Sequence, residues 1–408
     1  MVGDVRGDAR HAKVSDIGLL DRLPEQYFTR ILAAAAAARA QDGPGIARFI
    51  DLGRGNPDLP PPPHAIEALR AAALETATPV VHGYPPFDGH RDLRMAIAER
   101  YAADHGVVLD PDREVAVVPG TKTGIMLACV AAAGRGDTIL LPDPGYPDYP
   151  SGVALAGATA GVLPLQSSTG WQPDFDAASE QRPAAVLLNY PSNPCAACEH
   201  PGTFERAVAW CRGRGAWLVH DLAYGFLAFD DRRARSVLEI DGARECALEL
   251  WSPSKIYGMA GWRVGFAVGN GELVARIQTL LNHTAAGVFT AVQRGLAAAL
   301  RSDQRDVVQR REVYRARRDR LVATLRAAGA EIDLPEGSFY AWWRLPEGLT
   351  PERLIGEARV AVAPGEGFGS RGAGWARMSL ATPDADLDEA AQRIAAVINR
   401  TGSGHPTS

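Results

Sequence analysis

Short apolar runs at residues 114–118, 138–141, 185–189, 217–220, 248–251 and 264–268 are separated by stretches of helical periodicity, and they constrain this chain more than any other feature. Strands that read as near-continuous hydrophobic runs are buried on both faces, and strands joined by helical crossovers run parallel. The expected fold is therefore α/β, with a mostly parallel sheet covered by helices in a large domain and a smaller α+β domain beside it. Ligands of such sheets sit beyond the carboxyl ends of the strands. Chemistry is thus to be sought at residues 120–123, 143–146, 189–193, 221–224 and 252–255.

The pattern changes near residue 300. A long charged helix is expected over residues 301–325, followed by short strands around 339–344, 360–362 and 376–380. The corresponding division is 1–48 as an N-terminal arm and helix packing with the small domain, 49–300 as the large domain, 301–400 as the small one and 401–408 as a tail. An N-terminal helix over 20–40 is favoured by the alanine run 33–38. A short strand at 49–52 then breaks at Gly53, Gly55 and the prolines that follow. Helices are expected at 64–74 and 93–101, and another from 125 after a glycine-bounded turn at 120–124. The polar first sixteen residues and the Gly/Ser/Pro-rich tail are expected to lack fixed structure.

Charge narrows the partners. With 43 basic and 48 acidic residues intermixed and a net charge of -5, the chain has no basic footprint for nucleic acid or an anionic membrane. Small molecules or a second copy are the expected partners. Five cysteines, an odd number at uneven spacing, argue against a disulfide framework and for a reducing cytoplasm. Cys195 and Cys198 have metal spacing but no matching second pair, so no metal is expected. Neither a secretory signal nor a membrane span is visible.

The segment from Ser252 to Arg263 combines a lysine, Lys255, with hydroxyls at Ser252 and Ser254 and an arginine at Arg263. Lysine condenses with aldehydes, while arginine and serine suit phosphate oxygens. Alone, the segment reads more readily as a surface loop with a solvated lysine. Asp221 closes an apolar strand, where it suits either a protonated ring nitrogen or the cap of a following helix. Asn193 with Pro194 reads as a turn or as a ligand to a ring oxygen, a role open to Tyr224 as well. Gly120, Thr121 and Lys122 lead from a strand into a helix, an anion-binding arrangement without P-loop spacing. Tyr146 offers an aromatic face for stacking, or a ring packed under a turn.

Together these residues resemble a known family. Gly53-x-Gly55-Asn56-Pro57-Asp58, Gly83-Tyr84, Gly120-Thr121-Lys122, Asp143-Pro144-Gly145-Tyr146, Pro191-Ser192-Asn193-Pro194, His220-Asp221-x-x-Tyr224, Ser252-x-Ser254-Lys255, Gly261-Trp262-Arg263 and Ala376-Arg377 occur in this order between about residues 23 and 397. The chain resembles a fold-type I pyridoxal phosphate-dependent aminotransferase of class I/II, in the alanine and LL-diaminopimelate aminotransferase branch. The resemblance implies an aspartate aminotransferase-like fold, pyridoxal 5'-phosphate as cofactor, amino-group transfer between an L-amino acid and a 2-keto acid by a ping-pong mechanism, and a cytoplasmic homodimer with shared active sites.

It also implies roles. Lys255 would hold the cofactor as a Schiff base and move the substrate's Cα proton, and Asp221 would keep the ring nitrogen protonated. Asn193 and Tyr224 would bind the ring oxygen, and Tyr146 would stack on the ring. Thr121, Ser252, Ser254, Arg263 and the Gly120 turn would hold the phosphate. Arg377 would clamp the substrate α-carboxylate. Gly55 and Tyr27 would border the substrate, Lys122 would touch it along with Asn193, and Tyr84 would reach the phosphate of a neighbouring subunit.

The chain departs from the family pattern at four places. Cys195-Ala196 replaces a Thr-Gly pair, and Pro253 stands where a non-proline is usual. An asparagine expected near residues 285–288 is missing, which disfavours diaminopimelate as substrate. Glu366 reads either as a contact for a cationic or polar substrate end or as a solvated loop carboxylate. These changes keep open elimination, replacement or cyclisation at Cβ or Cγ, as in relatives acting on S-adenosylmethionine.

Overall fold

The structure, a computed structural model, describes residues 18–25 and 27–402. At its centre is an eight-stranded sheet. The strand order is Val115–Val118, Gly265–Gly269, Ala247–Trp251, Trp217–Leu222, Ala185–Leu188, Thr138–Asp143, Thr159–Gln166 and Gln172–Pro173. Gly265–Gly269 and Gln172–Pro173 run antiparallel to their neighbours, and the other pairings are parallel.

Side-chain alternation divides the sheet between two cores. Val115, Val117, Leu140, Val186 and Leu218 point to one face, where they join residues of the helices Arg91–His105 and Thr203–Arg212. Ala116, Val118, Ile139, Leu187 and Val219 point to the other, under Thr121–Ala132 and Gly271–Thr284. Because both faces are covered, the strands read as unbroken apolar runs. Each fully buried Val or Leu there contributes about 1.5–3 kcal/mol of transfer free energy.

The C-terminal part forms a three-stranded antiparallel sheet, Tyr340–Arg344, Trp375–Ser379 and Ala363–Pro364. The helices Arg305–Ala327 and Asp384–Gly402 pack against it through Leu321, Leu325, Ile394 and Val397. Near the N-terminus, Ile50–Asp51 pairs in parallel with Val360–Ala361, and Ala35 and Ala38 pack on Phe49 and Ala361. Residues 53–55, just past this strand, therefore run between the C-terminal sheet and the strand ends of the large sheet.

Several expected elements shift. The N-terminal helix spans Tyr27–Arg39, with only a short turn at Leu19–Arg22 before Pro24, whose ring cannot sit inside a helix. The turn expected at 120–124 is confined to Gly120, since Thr121 already begins the helix. The long helix expected over 301–325 starts later, at Arg305, because Arg301 closes the helix before it. Thr290–Arg301 ends and Arg305–Ala327 begins around Gln304, which has φ 62°. The Gln304 side chain donates to the carbonyls of Ala299 (2.9 Å) and Leu300 (3.3 Å), so a side chain caps the preceding helix and sets the boundary between the two. Thr401 and Gly402, expected in the tail, complete the last helix. The expected arm, residues 1–16, and residues 403–408 lie outside the described residues. No helix among the described residues is long and apolar enough to cross a membrane.

Candidate active site

A cavity of about 410 Å³ opens at the carboxyl ends of the parallel strands. Its wall carries Gly55, Thr121, Lys122, Tyr146, Asn193, Asp221, Tyr224, Ser252, Ser254, Lys255, Arg263 and Arg377. Most of these lie at or just beyond the ends of strands and helices, and Arg377 projects from the middle of the strand Trp375–Ser379.

Ser252 caps a single helical turn, Pro253–Ile256, its Oγ accepting from the Ser254 N–H at 3.2 Å. Pro253 is the first residue of that turn, where no N–H donor is required and the fixed φ of proline suits the helix. The departure from the family pattern is thus structurally neutral. The turn presents Lys255, whose Nζ donates to the Gly55 carbonyl at 3.2 Å. Burial, together with the guanidinium groups of Arg377 and Arg263, pushes the Lys255 ammonium down to about 8 from its usual 10.5. At neutral pH part of it is free amine, the nucleophilic form.

Opposite charge is provided by Asp221 at the end of Trp217–Leu222. Its Oδ2 accepts from the Tyr149 hydroxyl at 2.8 Å, while its Oδ1 is sealed from solvent with no hydrogen-bond partner. Burial lifts this carboxyl to about 6, against the opposing pull of Tyr149, His220 and Lys255. An unpaired buried carboxylate oxygen is costly. It marks a place for a donor.

Asn189 ties the neighbouring strand ends together, donating to the Asp221 carbonyl (2.7 Å) and accepting from the Asn193 N–H (2.7 Å). Asn193 in turn accepts from Arg377 Nη1 at 2.7 Å, and Arg377 Nη2 donates to the Gly53 carbonyl at 2.9 Å. The Arg377 guanidinium lies 4.0 Å from the Tyr340 ring centre and 4.7 Å from that of Phe368. Ring faces and two fixed acceptors leave this fully buried cation one orientation. Tyr224 is buried edge-on to Phe339 and Tyr340, its hydroxyl 3.5 Å from that of Tyr340.

At the other end of the cavity the helix Thr121–Ala132 points its N-terminus inward. Gly120 precedes it at φ 83°, and a Cβ there would lie 2.4 Å from the Arg263 guanidinium. Only glycine lets the arginine close on the backbone. Gly120, Thr121, Ser252, Ser254 and Arg263 thus form an anion-ready end, with helix N–H groups, hydroxyls and one guanidinium.

Other expected site residues are placed differently. Lys122 borders the cavity, but its Nζ pairs with the buried Asp148 carboxylate at 3.0 Å. Tyr27 lies in an adjoining cavity against Phe368, its hydroxyl bonded to the Pro364 carbonyl. Tyr84 is 86 % exposed and stands outside the cavity wall. Of the two readings of Glu366, the geometry fits the loop carboxylate. Its carboxylate is exposed, accepts from the Gly374 N–H at 3.3 Å and is not part of the cavity wall. Among the described residues no cluster of side chains could hold a metal ion.

Sequence reading missed Tyr149, Asn189, Tyr340 and a buried network behind Asp221. There His220 Nδ1 lies 2.7 Å from Glu249 Oε2, and Nε2 lies 3.1 Å from the Tyr190 carbonyl. Tyr101 and Ser236 donate to Glu249 at 2.8 and 2.7 Å. Burial pushes the Glu249 carboxyl up, but the hydrogen bond and charge of His220 more than offset it and hold it below the usual range. The available signal was Glu249 itself, a carboxylate inside the apolar strand Ala247–Trp251.

The loop carrying Asn193 has a second departure to account for. Ala196 keeps the left-handed geometry suited to glycine, with φ 56°, and its carbonyl accepts from Glu336 (2.9 Å) and Gly337 (3.0 Å). Relief of about 1–2 kcal/mol in Ala196→Gly is offset by a lost buried methyl of about 0.8 kcal/mol and by chain entropy of about 0.5–1 kcal/mol. Ala196→Gly should therefore change unfolding free energy by less than about 1 kcal/mol. Ala196→Val, β-branched in a left-handed and tightly packed position, should cost about 2–4 kcal/mol. Denaturant titration of the two variants checks the pair.

A family model described as aminotransferase class I and II matches residues 47–394. An L-glutamine–4-(methylsulfanyl)-2-oxobutanoate aminotransferase of Bacillus subtilis is 40% identical over 383 residues, covering 92% of this chain and 94% of the relative. An LL-diaminopimelate aminotransferase of Desulforudis audaxviator is 39% identical over 385 residues, covering 93% and 96%. Among solved structures, substrate-bound BacF from Bacillus subtilis aligns with a TM-score of 0.86 at 34% identity, over 94% of this chain and 98% of that one.

Proposed function

This chain belongs to the class I and II aminotransferases, and from that premise we propose that it holds pyridoxal 5'-phosphate on Lys255 and passes an amino group from an L-amino acid to a 2-keto acid in two half-reactions. The observation that carries the reading is the donor set of the cavity, which fits this cofactor part by part. A buried, partnerless Asp221 oxygen suits a ring N–H, a partly deprotonated Lys255 suits an aldehyde, and the Gly120 turn with Arg263 suits a phosphate. Cβ or Cγ elimination chemistry is not favoured, since the relatives above are named for amino transfer.

When bound, the cofactor supplies an aldehyde carbon that accepts the amino group and a conjugated ring that draws charge from the substrate's Cα. Thr121, Ser252, Ser254 and Arg263 would hold its phosphate, and Tyr146 would offer its ring a stacking face. Asn193 and Tyr224 hydrogen-bond its ring oxygen. Asp221, fixed by Tyr149, keeps a proton on the ring nitrogen. Arg377 binds the substrate α-carboxylate in a bidentate pair, oriented by Asn193, Gly53 and the ring of Tyr340. Lys255 Nζ would take the proton from the substrate's Cα and give it back, as base and then acid.

Residues 49–300 bind the cofactor in this reading and 301–400 bring Arg377 to it. The enzyme acts as a homodimer in which the exposed Tyr84 reaches the phosphate site of the second copy. Five free, buried thiols support a cytoplasmic setting. The test is a single-turnover reaction of holoenzyme with an amino acid and no acceptor. One keto acid per active site, with further turnover only after a 2-keto acid is added, is the expected result. Continuous product formation without an acceptor would refute it.

A further inference from the structure

The cavity wall includes a residue for which the reaction just described has no use. Arg54 stands between Gly53 and Gly55, whose carbonyls accept from Arg377 (2.9 Å) and Lys255 (3.2 Å). Its backbone is therefore fixed between the group that takes the substrate's carboxylate and the group that moves its proton. The side chain borders the cavity, is exposed, and makes no hydrogen bond or ion pair among the described residues.

Charge accounting isolates it further. Among the described residues the wall carries Arg54, Lys122, Lys255, Arg263 and Arg377 as cations and Asp221 as its one carboxylate. Arg377 is assigned to the α-carboxylate, Lys255 and Arg263 to the cofactor, and Lys122 is neutralised by Asp148 at 3.0 Å. On the far side of Arg54, Asp51 and Asp58 are already paired with Arg39 (3.7 Å) and Arg317 (2.8 Å). Arg54 borders both cavities, and its guanidinium is the one at this wall left without an anion among the described residues.

We infer that Arg54 is a specificity residue that receives the distal carboxylate of a dicarboxylic substrate, either an amino dicarboxylic acid or the matching 2-keto dicarboxylic acid. The inference rests on the aminotransfer reading of this site. A guanidinium matches a carboxylate by two parallel hydrogen bonds, whereas a carboxamide of the same shape offers one acceptor and no charge. Since Arg54 is exposed, the gain is modest and weakened by salt.

Glutamate and glutamine differ in little but that charge, so the test is the ratio of their kcat/KM values with holoenzyme. In Arg54→Ala the glutamate-to-glutamine ratio should fall about three- to fivefold. Arg54→Lys should retain most of it, and raising salt on the wild type should shrink it. The inference is overturned if the ratio in Arg54→Ala stays within twofold of wild type, including the case where both donors weaken equally. It is also overturned if Lys122→Ala rather than Arg54→Ala removes the preference, or if the wild type consumes other amino donors but not glutamate. A wild type that releases no keto acid from any donor refutes the aminotransfer reading instead.

Discussion

Lys255→Ala is expected to lower kcat/KM by about 10⁴-fold or more and to leave no lysine that borohydride can fix to the cofactor. The chain has three lysines, Lys13, Lys122 and Lys255. Of the two that are described, Lys122 is held by Asp148 at 3.0 Å, so it cannot take over the role. In the wild type the reduced adduct should map to Lys255, and an adduct on Lys122 would sink the assignment. Acidity sets a further expectation. With its ammonium held down to about 8 by burial and by Arg377 and Arg263, Lys255 has about a tenth of its amine free at pH 7, against roughly one part in three thousand for an unperturbed lysine. Cofactor capture by the free protein should accordingly speed up as pH rises and level off above about 8. A rate still climbing tenfold per unit at pH 9 would contradict this.

Asp221→Asn should separate catalysis from stability. The substitution keeps the shape but removes the charge that holds a proton on the ring nitrogen, and a lost electrostatic stabiliser of this kind lowers kcat by about 10²–10³-fold. Stability should move the other way. Burial raises the folded carboxyl to about 6, while the unfolded value stays near 3.9. Between those values the folded chain holds a proton that the unfolded chain has released. Stability of the cofactor-free protein therefore falls as pH rises through this window, by on the order of 3 kcal/mol at most. Asparagine removes that penalty. The cofactor-free variant should melt no lower than wild type at pH 7 and lose the pH dependence between about 4 and 6. A variant that is both inactive and markedly less stable would show Asp221 to be a structural ion.

Residues whose chemistry is out of place in their local pattern were legible in the sequence. Asp221 after an apolar strand, Lys255 between hydroxyls and glycine at 120 each break the expectation set by their neighbours. Ordinary residues in ordinary places were not. Tyr340 occupies a strand where aromatics are common, and only tertiary packing brings its ring to within 4.0 Å of Arg377. Tyr149 lies in a short helix, and its bond to Asp221 spans 72 residues. The start of the long helix, expected at 301 and found at Arg305, has a similar origin, because Arg301 belongs to the preceding helix, whose carbonyls the Gln304 side chain caps. Glu366 was legible only as a choice between two readings. An unusual charge in a substrate-bordering loop was satisfied by a nearby backbone N–H.

The two carbonyls of residues 53 and 55 carry a consequence for how such a site can be re-purposed. Main-chain oxygens cannot be removed by changing a side chain, so the props under Arg377 and Lys255 do not depend on which amino acid lies between them. Position 54 is thus insulated from the machinery it adjoins. A library confined to that one codon could shift the preferred substrate while leaving both props in place, a degree of modularity rare in a site where most neighbours hold one another.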